Sequence, residues 1–290
     1  LKTVKRSNIK TEKYDDLARE FRKAGLPLFV DLMLGLPGAS TTSFREDLQQ
    51  CIDREVSARI FSTAMLTNSP MNEPSYRKAH GIETGAPLGS LVSSSREPDG
   101  TTKRALVVAT ASFTREDYAE MLDLRRTFTM AENFGVLRQI SRFVRQEAGL
   151  VEIDFYDRLR LEARRRPDRS PALAFTLHVA PFLGIPPVSW SLLMDELHRF
   201  VTVDLGMADD SALSTALAVQ HVLLPARDRQ FPVTLQLAHD YSTWHRTMVE
   251  VKDAGERGWT DRVPPLRTYG PAEFQVDDPN QVCTLNMGYH

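Results

Sequence analysis

Val30-Asp31-Leu32-Met33-Leu34-Gly35-Leu36-Pro37-Gly38 is the stretch from which the rest of the chain is read. With Leu28 and Phe29 it makes a nearly unbroken apolar run, the pattern of a strand covered on both faces in a parallel sheet. The run ends at a turn, Gly35 to Ser40. There two glycines permit close backbone approach and Pro37 stiffens the path. Ser40 can cap a helix that starts at once, so free amide donors point into the space beyond the strand. Ligands of α/β proteins bind at such strand ends. Two uses of the turn stay open: a ligand cradle, or a tight strand-to-helix reversal alone. Asp31 is the charge inside the run. A carboxylate there needs a partner, and structural pairing with Lys or Arg competes with binding ligand hydroxyls.

Working outward, Thr11 can cap a first helix, with Tyr14, Leu17, Phe21 and Ala24 as its apolar stripe. Gly25 and Pro27 stop it. After the turn, Phe44, Leu48, Cys51 and Ile52 share one helix face, and residues 58–66 read as a second strand. Strand, helix, strand in this rhythm is a parallel pair joined by a right-handed crossover, within a repeating barrel or doubly wound sheet. Residues 81–102 are rich in Gly, Ser, Pro and Thr and read as a long loop, with a short strand near 104–110. Thr114 with Asp117 opens a helical region reaching about Leu224, with Leu122, Phe128, Leu137, Ile140, Phe143 and Val144 as core. Pro186 and Pro187 suit a helix first turn, with Trp190, Leu193, Leu197 and Val201 inward. A strand at 231–237, a helix from about Tyr241 and an irregular tail with one late strand complete the chain. The divisions are 1–80, 81–111 and 112–290.

The 290 residues carry 42% hydrophobic and 26% charged side chains and a net charge of -2. That is a soluble globular composition with no pull toward nucleic acid or anionic membrane. Arg164-Arg165-Arg166 reads as a solvated helix end. No apolar run spans a bilayer and none follows the basic start as in a signal peptide. Position 1 is Leu, which suggests a chain cut from something longer, or a processed or partial reading frame. Two cysteines, Cys51 and Cys283, suit a reducing cytoplasm and read as small apolar residues rather than a bridge. His239 and His245 are spaced six apart, poor for two metal ligands on one helix face. His178, His198 and His221 read as packed or surface groups. No G-x-S-x-G, Walker-type loop or G-x-G-x-x-G occurs.

Lys5-Arg6-Ser7-Asn8-Ile9, the tyrosine-bearing helix, Asp31 through Gly38 and Phe44 together resemble the later barrel strands of radical S-adenosylmethionine enzymes. The likeness is closest to the branch that often carries a cobalamin-binding domain. That family's strand reads roughly D-x-x-x-G-x-P-G-E-T followed by a helix with Phe. Asp31, Gly35, Pro37, Gly38 and Phe44 match, Ser40 stands for Thr, and Ala39 replaces Glu. The resemblance covers about residues 1–80, and less specifically 111–142. It implies an α/β fold: the C-terminal strands of a partial (β/α) barrel followed by a mostly helical C-terminal region. It places Arg6 and Asn8 near the methionine carboxylate of S-adenosylmethionine. Gly35, Leu36, Pro37 and Gly38 would lie near its ribose or sulfonium, with Asp31 in the same strand, and Thr63 to Leu66 near the adenine. Asn68-Ser69-Pro70-Met71 resembles the small-residue turn after that strand.

The family's CxxxCxxC loop is absent, and Cys51 and Cys283 cannot supply three thiolates. The resemblance therefore implies a C-terminal fragment whose parent holds a [4Fe–4S] cluster and possible cobalamin. That parent cleaves S-adenosylmethionine reductively for radical methylation or rearrangement of an unknown small-molecule or peptide substrate. The partner implied is a missing N-terminal barrel half, and the isolated chain is expected to be inactive. Two other readings stand beside it: a non-catalytic α/β plus helical binding or scaffold module, and an unrelated α/β enzyme holding phosphate at Gly38–Ser40.

Overall fold

The computed structural model describes residues 11–26, 28–85, 105–179, 189–226, 229–254 and 258–278, with side chains from Asp15 onward. Six short strands and ten helices make up these residues. In chain order they begin α1 (Thr11–Lys23), β1 (Phe29–Leu34), α2 (Thr41–Asp53) and β2 (Ser57–Ser62). After a 3-10 turn at Pro70–Asn72 come α3 (Pro74–Ala79), β3 (Glu83–Gly85) and β4 (Leu106–Ala109). The helical part is α4 (Arg115–Phe128), α5 (Arg138–Ala148), α6 (Glu152–Arg165), α7 (Pro171–Ala174), α8 (Trp190–Arg199) and α9 (Ser211–Val222). It closes with β5 (Val233–Leu237), α10 (Tyr241–Asp253) and β6 (Ala272–Val276).

β1 and β2 pair in parallel, from Phe29 opposite Ser57 to Leu34 opposite Ser62, and α2 makes the crossover. The chain beyond β2 then meets β4 in the antiparallel sense. Ala64 bridges Leu106, the Val107 amide donates to the Thr63 carbonyl at 2.9 Å, and the Met65 amide donates to Ala105 at 2.8 Å. β3 lies antiparallel on β4, and β5 pairs antiparallel with β6. The mixed α/β class and mostly helical second half are as expected. No closed barrel forms among the described residues.

Local signals give the helix starts. Ser40 and Ser43 form a reciprocal capping box at α2, and Thr114 with Asp117 does the same at α4. Phe44, Leu48, Cys51 and Ile52 are all buried, as are Leu122, Phe128, Leu137, Ile140, Phe143 and Val144. Leu193, Leu197 and Val201 also face inward, while Pro186 and Pro187 lie outside the described residues. The α1 stripe needs correction: Leu17 and Ala24 are exposed and Ala18 is the buried residue.

The reading of β1 as covered on both faces also needs correction. Val30, Leu32 and Leu34 pack on the core, but Asp31 and Met33 face solvent, as do Arg59 and Phe61 on β2. Among the described residues, only one side of this sheet has helices against it. Three helices end in a widened π-helical turn, at Thr129–Asn133, Phe175–Val179 and Phe200–Asp204. The first of these swings Asn133 against the sheet. Its side-chain Nδ2 donates to the Ala58 carbonyl at 2.7 Å, and its Oδ1 accepts from the Ala58 amide at 3.4 Å.

Candidate functional site

The carboxyl ends of β1 and β2 meet at the Leu34 carbonyl. Both the amide and the hydroxyl of Thr63 donate to it, each at 2.8 Å. Thr63 is 3% exposed and clasps the two strand ends together. Gly35 follows with φ +91°. A Cβ there would come within 3.1 Å of the Val107 carbonyl oxygen and close to the Phe113 and Tyr118 rings. The space freed by Gly35 is thus filled by the protein itself.

Gly38 differs. Its φ is +90°, it is exposed, and a Cβ would meet nothing within 4 Å. Pro37 is buried and Leu36 half-buried between the two glycines. Of the expected set, the structure brings Gly35, Leu36, Pro37, Gly38 and Thr63 to one strand end. Leu66 sits beyond it, 51% exposed, followed by a turn and the 3-10 segment that Ser69 caps. Arg6 and Asn8 lie outside the described residues.

The amide donors of the turn are largely spoken for. Gly38 donates to Ser112 Oγ at 3.0 Å and Ala39 to the Leu36 carbonyl at 3.0 Å. Ser40 donates to Ser43 Oγ at 2.9 Å and Ser43 to Ser40 Oγ at 3.1 Å. A phosphate at Gly38–Ser40 would have to displace these bonds, so that reading is not supported. What remains open here is backbone surface at Gly38.

Asp31 has the arginine partner its position called for, though on an exposed face rather than a buried one. Arg59, directly opposite in register, donates from Nε to Asp31 Oδ1 at 2.9 Å. The same guanidinium lies over the Phe29 ring, 5.6 Å from its centre. Arg59 was missed in the sequence, although Val30-Asp31-Leu32-Met33 and Ala58-Arg59-Ile60-Phe61 run in step. Ser112, which receives Gly38, carried no local signal.

The largest charge cluster lies on the other side of the sheet. Arg142 is wholly buried. Its Nε and Nη2 donate to Glu55 at 3.1 Å each, and Nη1 and Nη2 donate to Glu132 at 2.7 and 3.0 Å. Lys252 also holds Glu55, and the Tyr156 hydroxyl donates to Glu132. Glu152 is 3.7 Å from Arg142 and 2.8 Å from Arg145. Burial alone would push both carboxyls up; the surrounding cations, Arg142 foremost, more than reverse this, holding Glu55 well down and Glu132 down. Glu55 adopts φ +49° to reach into the cluster.

A cavity of about 50 Å³ beside the cluster is lined in part by Cys51, Glu55, Ser57, Glu132 and Arg138, room for a water or two. Burial, then Asp47, pushes the Cys51 thiol up to about 12, so it is no thiolate ligand. Among the described residues no group of His, Cys, Asp or Glu could hold a metal ion, and no helix is long and apolar enough to cross a membrane.

No family model matches the chain. Over 171 residues, 58% of its length, it is 26% identical to the cobalamin-dependent radical SAM methyltransferase TokK of Streptomyces tokunonensis. Over an equal length it is 25% identical to the 2-(S-pantetheinyl)-carbapenam-3-carboxylate methyltransferase of Streptantibioticus cattleyicolor. Each match takes in 25% of the relative, so the matched stretch spans about a quarter of these curated proteins. Likeness to these methyltransferases, together with the strand-end turn, supports a radical S-adenosylmethionine-related function in general terms.

Proposed function

We propose that this chain is the C-terminal part of a radical S-adenosylmethionine enzyme, with methyl transfer assisted by cobalamin as its reaction. The observation that carries this reading is the combination of the Gly35–Gly38 turn at a parallel strand end with the 171-residue likeness to radical methyltransferases. S-adenosylmethionine with a reduced [4Fe–4S] cluster supplies one-electron chemistry when both are bound. The residues of this chain take the positioning roles. Gly38 offers the open backbone surface, Thr63 keeps the two strand ends in register beneath it, and Gly35 lets the turn pack closely on Val107. Asp31 and Arg59 carry the polar functions of the open sheet face. Arg6 and Asn8 are assigned to the methionine carboxylate.

The cluster itself does not fit this chain. Two cysteines cannot provide three thiolates, and Cys51 is buried and protonated. The thiolates belong to polypeptide beyond these 290 residues. β1 is where that polypeptide joins, because β2 and β4 occupy one side of the sheet and β1 has no strand on its other side among the described residues. The exposed face with Met33 and Phe61 is then the interior of a partial barrel that this chain completes.

Two measurements test the reading. Treating the isolated chain with iron and sulfide under anaerobic reduction should yield no stoichiometric cluster and no methionine or adenosine from S-adenosylmethionine. Cluster formation on this chain alone would overturn the fragment assignment. Calorimetric titration with S-adenosylmethionine should give weak binding that Gly38→Val abolishes; binding unaffected by that substitution would remove the turn from the site.

A further inference from the structure

Three stretches far apart in sequence converge at one exposed corner of the helical region. Asp210 caps α9, its carboxylate accepting from the Ala212 and Leu213 amides at 3.0 Å, which fixes Ser211 as the first residue of the helix. His239 leaves β5 in a tight bend held by the Tyr241 amide donating to the His239 carbonyl at 2.9 Å. Tyr269 follows the 3-10 turn Leu266–Thr268. The His239 ring spans the gap, with Nδ1 2.8 Å from the Tyr269 carbonyl oxygen and Nε2 2.9 Å from Ser211 Oγ.

The chemistry of the partners settles the proton positions. A carbonyl oxygen only accepts, so Nδ1 carries the hydrogen. In the neutral ring Nε2 then holds the lone pair, and the Ser211 hydroxyl must be the donor. The result is a serine whose proton already points at a base, and a base whose tautomer is set by a third group. The distance is within the reach a general base requires. Ser211 is exposed and His239 partly buried, so a reagent reaches the hydroxyl while the ring stays in place. Ser214, one turn on, provides the contrast. It is also exposed, but its hydroxyl donates to the Asp210 carbonyl at 3.1 Å and has no base against it among the described residues.

The geometry points to Ser211 and His239 as a nucleophile–base dyad that accepts acyl groups from activated esters, a site separate from the strand-end turn and independent of the function proposed for it. Ser211 Oγ attacks the ester carbonyl carbon and its proton passes to His239 Nε2. The carbon–oxygen bond to the leaving alcohol breaks, and that alcohol departs with the proton from Nε2. Water, deprotonated by the same nitrogen, then releases the acid and restores the serine. Arg267, which reaches the capping Asp210 next to Ser211, is shared between Glu147 and Asp210, the latter at 3.5 Å. This carboxylate-rich surround selects an uncharged acyl donor over an anionic one.

The test is acetylation of the full 290-residue chain by p-nitrophenyl acetate, followed by peptide mass spectrometry. Ser211 should acquire acetyl at least tenfold faster than Ser214 in the unaltered protein. His239→Gln should slow Ser211 acetylation about a hundredfold, the usual contribution of a positioned base. Ser211→Ala should remove the nitrophenolate burst. Equal labelling of Ser211 and Ser214, or an unchanged rate in His239→Gln with an unaltered circular dichroism spectrum, would overturn the dyad. The Ser211-to-Ser214 ratio is read in the unmutated protein, so it decides the matter even where a variant folds poorly.

Discussion

Replacing Arg142 with Met should destabilise the protein by about 4 kcal/mol at neutral pH. The side chain is fully enclosed and makes four short charge-assisted bonds to two carboxylates. Met retains much of the stem volume, so the loss is mainly electrostatic. Breaking a buried ion pair by removing one partner costs roughly 3–5 kcal/mol, because it strands the other charge. Here two carboxylates are stranded, but Lys252 remains on Glu55 and Arg138 lies 3.6 Å from Glu132, which keeps the figure within that range. The pH dependence follows from the same contacts. In the unaltered protein Glu55 and Glu132 titrate below their unfolded values, so their stabilisation is present above about pH 4.5 and is lost as pH falls through the folded values. Without Arg142 the folded values rise above the unfolded ones. The native state then takes up protons first as pH falls, and the deficit shrinks. Urea unfolding followed by circular dichroism at pH 7.5 and 5.0 measures both effects. A difference below 1 kcal/mol at pH 7.5, or an equal difference at the two pH values, would refute the cluster as a mutually dependent charge network.

Other perturbations separate the roles assigned above. Gly35→Ala should cost about 2 kcal/mol, from strain at φ +91° and the approach to the Val107 carbonyl, and thermal unfolding reads it. Gly38→Ala meets no neighbour and should cost about 1 kcal/mol from backbone strain alone, so a larger loss than at Gly35 would contradict the packing described. His245 is held down to about 4, first by burial and then by Arg142 and Lys252 against the pull of Glu55. The unfolded ring takes up a proton near pH 6.5 before the folded one does, so stability falls from pH 6.5 toward 4, by about 2 kcal/mol once the ring's partial exposure is allowed for. His245→Gln should flatten that slope. A double-mutant cycle on Asp31 and Arg59 should return 0.2–1 kcal/mol, the range of exposed pairs.

The legible parts of the fold were those with local causes. Ser40 and Thr114 act within three residues, and the Phe44–Ile52 stripe needs only helical spacing, so caps and buried face follow directly from sequence. The α1 stripe failed because Ala18, a weak hydrophobic signal, is the residue turned inward. The one-sidedness of β1 was hidden because Met33 and Phe61 are apolar by type yet face solvent. The charge cluster was beyond reach: Glu55 and Lys252 are 197 residues apart, and nothing in either neighbourhood announces the other. The strand-end turn was found, but the division of labour within it was not. Gly35 serves packing, Thr63 serves register, and Gly38 alone stays open.

The open face of the β1–β2 sheet carries its own counterion. Asp31 and Arg59 neutralise each other at the centre of a surface otherwise formed by Phe29, Met33 and Phe61. In water such a pair is screened to about 1 kcal/mol, and the same separation gains several-fold when solvent is removed. Any body laid on this face therefore meets a polar spot already balanced, and its arrival tightens the pair. Covering the face therefore dehydrates one charge pair that is already joined, rather than two lone charges that would each need a new partner.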